Sequence, residues 1–143
     1  MDRPLKIDEL LCFSVYAANH AISRLYRPHL SRMGLTYPQY LVLVALWDRD
    51  NRQVTDLGRT LQLDTNTLTP LLKRMEGAGL ISRARNPEDE RSRIVALTDK
   101  GDALRVQARE ISSCLAEALG EDLAEIVALR DKLTQLRDRI EKI

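Results

Sequence analysis

Val54-Thr-Asp-Leu-Gly-Arg-Thr-Leu-Gln-Leu-Asp64-Thr-Asn-Thr-Leu-Thr-Pro-Leu-Leu-Lys-Arg-Met-Glu-Gly-Ala-Gly-Leu-Ile81 is the stretch on which the reading of this chain turns. Thr55 is placed to cap a short helix that keeps Leu57 and Leu61 on one face, and Asp64 or Thr65 to cap a second. The turn between them is short. In the second helix Leu68, Leu71, Leu72 and Met75 recur at helical spacing, which leaves Thr65, Asn66, Thr67, Thr69, Lys73 and Arg74 for a polar, donor-rich face. Deep inside a helix Pro70 would cost about 3 kcal/mol. It is therefore expected in or near the first turn, with the helix starting around Asn66 or Thr67. Gly77 and Gly79 mark its end.

From Ile81 the chain goes out and returns through Ile94-Val-Ala-Leu-Thr98. The root of this hairpin is apolar (Ile81, Ile94, Val95, Leu97), its outer half carries Arg83, Arg85, Arg91 and Arg93, and Asn86-Pro-Glu-Asp89 is turn chemistry. A charged hairpin is often only solvated. Beside a polar helix face, however, four arginines around a projecting loop suit a duplex binder: cations for phosphates and a slender element for the minor groove. Short helix, tight turn, polar helix and hairpin, in that order, form a winged helix-turn-helix in a mainly α chain.

The chain has 143 residues, 44% of them apolar, enough for one sizeable core and a single compact domain. Its net charge of +1 argues against a diffuse polycation, so any DNA contact must come from a local patch. The N-terminus does not resemble a signal peptide, and the longest apolar run, Tyr40 to Trp47, is too short to span a bilayer. A cytoplasmic protein without membrane association is expected. Two distant cysteines without Cys-x-x-Cys spacing point to neither a disulfide framework nor a zinc site, and no cofactor is implied.

Ile7 to Met33 reads as helix, with Asp8 as cap, an apolar period through Leu11, Val15, Ala18, Ile22 and Leu25, and a kink at Pro28 near Arg27. Gly34 closes it. Thr36 and Gln39 form a capping box for a helix running to about Trp47, with Pro38 harmless in its first turn. Because Leu41 to Leu46 is apolar almost all round, that helix belongs at the centre, with Trp47 as core packing. Thr98 caps a long helix to about Leu119, Gly120 breaks it, and a last helix starts near Glu121. Its Ile126, Leu129, Leu133, Leu136 and Ile140 alternate by three and four residues, the seam of a coiled-coil-like pair. Neither terminal helix has a large partner in so short a chain, so a homodimer built from residues 1–35 and 99–143 is expected, with 36–98 as the DNA-reading region. Two recognition helices about 34 Å apart then read a pseudopalindrome in double-stranded DNA.

Cys12 lies at or just past the first turn of the first helix, where the macrodipole favours thiolate over thiol. By its chemistry alone, a lone cysteine in an apolar helix is more often a small buried hydrophobe. The tyrosines, too, read as half-buried helix residues.

The chain resembles the MarR family of bacterial regulators over nearly its whole length. Asp64 to Glu76 is similar to that family's recognition helix, and Asn86-Pro-Glu-Asp-Glu-Arg-Ser-Arg93 with Leu97-Thr-Asp-Lys-Gly101 to its wing and exit. The resemblance implies an intertwined dimer and a structural Asp89-x-Arg91 pair whose carboxylate orients the arginine toward the minor groove. Leu11-Cys-Phe13 with Tyr16, Tyr26-Arg-Pro28 and Leu35-Thr-Tyr-Pro-Gln-Tyr40 resemble the OhrR branch, the organic-hydroperoxide sensors. In that branch the cysteine at the place of Cys12 is peroxidatic, and tyrosines at the places of Tyr26 and Tyr37 hydrogen-bond its thiolate across the dimer. Some members carry a second cysteine that resolves the sulfenic acid into an intersubunit disulfide; others use a small thiol. Cys114 falls in the region of that second cysteine, although Ser112-Ser-Cys-Leu115 is not a specific motif. Kinship further implies autoregulation and control of a neighbouring peroxide-resistance gene. Three other readings stay open: a repressor released by a phenolic ligand, a thiol peroxidase, and a protein-binding winged helix.

Overall fold

Thr36 and Gln39 open the central helix by exchanging caps. The Thr36 hydroxyl accepts from the Gln39 amide at 3.4 Å, and the Gln39 side chain accepts from the Thr36 amide at 3.1 Å. In the computed structural model, which describes residues 3–120 and 122–143, this helix runs Tyr37–Asp48 and buries Val42, Leu43, Ala45 and Leu46. With helix α1 at Leu11–Met33 and the central helix as α2, the order continues as strand β1 (Arg52–Gln53), α3 (Val54–Leu61), α4 (Thr65–Gly77), β2 (Ile81–Asn86), β3 (Asp89–Leu97), α5 (Asp99–Ala103), α6 (Arg105–Ala118) and α7 (Leu123–Glu141). The core is built around α2 from Leu57 of α3, Leu68, Leu71, Leu72 and Met75 of α4, Ile81 and Val95 of the sheet, Leu30 of α1 and Ile111 of α6. Among the described residues no helix is long and apolar enough to cross a membrane.

The expected winged helix-turn-helix is present, with differences that have local causes. Thr55 does not cap α3, whose N-cap is Gln53, two residues earlier and without a side-chain cap bond; pairing of β1 with β3 fixes the entry instead. That strand gives a three-stranded antiparallel sheet in the order β1-β3-β2 rather than a bare hairpin. Gly58 makes the turn possible, because a Cβ there would meet the Leu63 carbonyl at 2.9 Å. Pro70 lies in the second turn of α4 rather than the first. It forgoes the bond to the Asn66 carbonyl, while buried Leu68, Leu71 and Leu72 hold the helix on both sides of it.

At the N-terminus Asp8 is not the cap of α1. Ile7–Glu9 forms a separate 3-10 turn, and α1 begins after an extended Leu10. Nor does Pro28 interrupt the helix. Tyr26, Leu30 and Met33 pack against the core on either side of it, which outweighs one missing backbone bond. Gly34, at φ 70°, ends α1 as expected. The helix expected from Thr98 to Leu119 is broken at Leu104 into α5 and α6. Here Gly101 seats its backbone against Leu80, leaving no room for a Cβ, and its carbonyl accepts from Trp47 Nε1 at 3.0 Å. Trp47 is thus core packing with one polar anchor. Glu121, where the last helix was expected to start, lies outside the described residues; Asp122 caps α7 by accepting from the Glu125 amide at 3.2 Å.

Candidate functional site

Asp64 fixes the start of α4 by accepting from the Thr67 amide at 2.8 Å, a bond that holds its carboxyl below the usual range. With Leu68, Leu71, Leu72 and Met75 turned inward, Thr65, Asn66, Thr67, Thr69, Lys73 and Arg74 are all exposed. One helix therefore presents a continuous face of hydroxyls, an amide and two cations, the donor set that base edges and phosphates accept.

The wing brings the four arginines into unequal positions. Arg83 turns back onto α4, its guanidinium 3.3 Å from Glu76 Oε1 and its amide donating to Glu76 Oε2 at 3.1 Å. It braces wing to helix, and its charge is already neutralised. Arg85 and Arg93 are exposed and directly opposed across β2 and β3. Like charges in that relation destabilise a hairpin by about 0.2–1 kcal/mol, a cost that an anion lying between them removes. Beyond them the register jumps to Asn86↔Asp89, so residues 90–92 bulge out of β3. Asp89 Oδ1 accepts from the Arg91 amide at 3.0 Å. The expected Asp89-x-Arg91 pair thus works through the backbone: the carboxylate shapes the bulge and leaves the Arg91 side chain exposed.

Behind this face sits a residue that sequence reasoning passed over. Arg52 is buried, donating to Asp56 at 2.7 Å, to the Ala45 carbonyl at 3.3 Å and to Thr60. The hydrogen bond from Arg52, with the charges of Arg52 and Arg49, holds the Asp56 carboxyl below its usual range. Since Arg52 is also β1, it ties α2, α3 and the sheet into one unit. Its signal in the sequence was slight: one arginine among the charges of Asp48 to Arg52.

The thiol residues fall into two groups. Cys12 is exposed, the second residue of α1, among amides that lack intrahelical partners. Tyr26, Tyr37 and Cys114 gather at the other end of α1, where it meets α2 and α6. Tyr26 and Tyr37 lie 6.2 Å apart between ring centroids, and Tyr40 completes the group at 6.4 and 6.3 Å from them. Burial first, then the neighbouring Tyr40, Tyr37 and Cys114, pushes the pKa of the Tyr26 hydroxyl up. Burial and Tyr37 do the same for Tyr40, against a hydrogen bond with Ser112. Both phenols are therefore protonated donors at neutral pH. Tyr40 carried a signal, one helical turn from Tyr37 on the same face. Cys114 Sγ lies 3.1 Å from His29 Nε2.

Within one chain these groups do not meet. Tyr26 follows Cys12 by fourteen residues of an unbroken helix, about 21 Å along its axis at about 1.5 Å per residue. His29, which touches Cys114, is farther still.

A family model described as transcriptional regulator SarA/Rot matches residues 24–106. The HTH-type transcriptional regulator TtmR of Methylorubrum extorquens (strain PA1) is 45% identical over 139 residues, 97% of this chain and 71% of the relative. The organic hydroperoxide resistance transcriptional regulator of Bacillus subtilis (strain 168) is 42% identical over 125 residues, 85% of each chain. The chain belongs to the MarR family of transcriptional regulators. Among solved structures it is similar to AbfR of Staphylococcus epidermidis. Reduced AbfR bound to DNA superposes with a TM-score of 0.79 at 37% identity, covering 91% of this chain and 92% of AbfR. Disulfide-formed AbfR gives 0.67 at 38% identity, covering 88% of each. The chain thus superposes on reduced, DNA-bound AbfR with a higher TM-score than on disulfide-formed AbfR.

Proposed function

We propose that this regulator is a cytoplasmic, homodimeric repressor that binds a pseudopalindromic operator in double-stranded DNA and is released when organic hydroperoxides oxidise Cys12. Residues 1–35 and 99–143 form the dimer, and 36–98 read the DNA. Thr65, Asn66, Thr67, Thr69, Lys73 and Arg74 face the major groove, Arg85, Arg91 and Arg93 take phosphates or the minor groove, and Arg83 with Asp89 shapes the wing. The observation that carries the sensing role is the separation within one chain. A partner's Cys12 brought to the Tyr26, Tyr37 and Cys114 end completes a thiol site that a single chain leaves in two halves. There the protonated phenols donate to the Cys12 thiolate and hold it for attack on the peroxide.

The chemistry runs in two steps. The Cys12 thiolate attacks the terminal peroxide oxygen; an S–O bond forms, the O–O bond breaks, and the alkoxide takes up a proton and leaves as alcohol. Cys114 of the other protomer then attacks the sulfenic sulfur, the S–S bond forms and water leaves. A disulfide needs Cα atoms within about 7 Å, so if the two reduced cysteines stand farther apart than that, closing it moves helices that carry the recognition helices. The AbfR relative, solved both reduced on DNA and disulfide-formed, supports such a cycle.

The test uses a duplex selected from random sequence by the reduced protein. Stoichiometric cumene hydroperoxide is expected to abolish binding by wild type and to leave Cys12→Ser bound. Wild type should run as a covalent dimer on a non-reducing gel, Cys114→Ser as a monomer. Release of the Cys12→Ser protein would overturn the reading. An apolar cleft of about 880 Å³ between α1, α6 and α7, lined by Ile22, Leu25, Leu129 and Leu133 among others, favours a second reading, release by a phenolic ligand. Loss of the DNA complex with a phenol, independent of Cys12, would establish that one instead.

A further inference from the structure

We infer that His29 is the general base of the resolving step: its Nε2 takes the thiol proton of Cys114 as that sulfur attacks the Cys12 sulfenic sulfur. This rests on the two-cysteine reading proposed above and adds a residue to it.

Three observations carry it. Cys114 Sγ has two acceptors in reach, His29 Nε2 at 3.1 Å and the Glu110 carbonyl at 3.2 Å. That carbonyl lies four residues back on α6 and already serves the helix ladder, whereas the imidazole lone pair is free for the S–H. If Nε2 accepts, Nδ1 carries the other proton. Nδ1 is buried without a hydrogen-bond partner, and the nearest acceptor is Glu110 Oε2 at 3.8 Å. The carboxylate therefore stands where it stabilises the imidazolium formed once the thiol proton has moved, at a distance that a small rotation of the exposed Glu110 side chain closes. Thiol, imidazole and carboxylate follow one another as in nucleophiles activated by an adjacent, oriented base.

The groups facing this pair come from three helices. On α1 they are Tyr26, whose pKa the Cys114 thiol helps, after burial, to push up, and Arg32, 4.0 Å from the same Glu110 oxygen. On α2 they are Tyr37 and Tyr40, beyond Tyr26; on α6, Glu110. Among these side chains the His29 imidazole is the base in contact with the Cys114 thiol.

The step balances. The Sγ–H proton passes to Nε2, and the thiolate attacks the Cys12 sulfenic sulfur of the other protomer. The S–S bond forms as S–OH breaks; the hydroxide departs on the far side of the Cys12 sulfur, takes a proton from solvent and leaves as water, and Nε2–H gives its proton back to solvent. The peroxide has already supplied the oxidation.

The test follows both steps in the full-length dimer after one equivalent of cumene hydroperoxide. Dimedone trapping measures the sulfenic acid, and acid-quenched samples on non-reducing gels measure the disulfide. In His29→Gln the sulfenic acid is expected to form at the wild-type rate while crosslinking at pH 7 slows about 100-fold, since general acid–base help is worth about 10²–10⁴-fold. The deficit should narrow toward pH 9, since free thiols ionise unaided near about pH 8.5, and imidazole should restore part of the rate to His29→Ala. A loss of equal size at every pH would mean that His29 only packs, and overturns the inference. So does crosslinking at the wild-type rate with the wild-type pH profile, which leaves the two-cysteine reading standing. If wild type itself never crosslinks, both fall. A second measurement reads Cys114 alone: in Cys12→Ser, where Cys114 is the sole thiol, iodoacetamide alkylation at pH 7 should be faster than in the same protein carrying His29→Gln, and equal rates overturn the inference.

Discussion

Residues 36–98 and the two terminal helices differ in what one chain can finish. In the first region Val42, Leu43, Leu46, Leu57, Leu68, Leu72, Met75, Ile81 and Val95 are all but completely buried by the chain's own contacts. In the second, α7 has no buried residue and α1 has only Leu30. Leu11 remains 62% exposed, Leu129 55% and Ile140 60%. So much exposed apolar surface on two helices marks an interface. The reading head is specified within one chain, whereas the arms that carry Cys12 wait for a second chain to cover them. Under the proposed function, chemistry at Cys12 acts where the packing of one protomer on the other is decided, and residues 36–98 report it.

The widest test of that contrast puts a charge on the uncovered face. Leu133→Asp should leave the monomer's helical content intact, abolish dimerisation by light scattering and weaken operator binding at least about 100-fold, because an unpaired carboxylate buried at the seam costs several kcal/mol. A dimer of unchanged affinity would show that α7 is covered by something else. Next in size, Leu46→Ala in the completed core should cost about 2–5 kcal/mol by denaturant titration. The cost should be the same at low and high protein concentration once the dimer term is subtracted. A strong concentration dependence would mean that the head, too, depends on the partner.

How legible each part was follows from the same contrast. The period of Leu68, Leu71, Leu72 and Met75, the Thr36–Gln39 box and the Asn86 to Asp89 turn are local devices, so they could be read from neighbours in sequence. Asp8, Thr55, Pro28 and Pro70 misled because packing or strand pairing overrode the local rule at each. Strand β1 and buried Arg52 were missed because their partners, Val95 and Asp56, belong to a sheet and a helix that only the tertiary fold brings together. His29 was passed over for the same reason: its partner Cys114 lies 85 residues away. The roles of Cys12 and Cys114 came from kinship, since neither spacing nor composition joins them.

A sharper comparison lies within the head itself, between arginines that hold it together and arginines that point away. Arg91→Ala should cost about 1–3 kcal/mol of DNA binding and lower the log–log salt slope by about 0.9 for each phosphate that Arg91 neutralises, with the melting temperature unchanged. Arg83→Ala should do the reverse in part, loosening the wing by releasing it from Glu76. If the two variants behave alike in melting and in binding, the division between bracing and reaching arginines is wrong.

The smallest expected effect concerns pH and the Arg52 web. Because hydrogen bonding from Arg52, with the charges of Arg52 and Arg49, holds the folded Asp56 carboxyl below its ordinary value of 3.8, the ionised form is favoured in the folded state. The resulting stability is fully present above the unfolded carboxyl's pKa and is lost as pH falls through the folded one. Asp56→Asn should accordingly lower the melting temperature at pH 7, and the gap to wild type should close as pH drops below 3.8. Added salt should remove only part of the difference at pH 7, since the exposed Arg49 pair is screened while buried Arg52 is not. The terminal helices have no comparable buried ion pair among their described residues. A gap that stayed constant down to low pH would place the effect in packing at Asp56 and remove the charge from the account of how α2, α3 and the wing are held as one head.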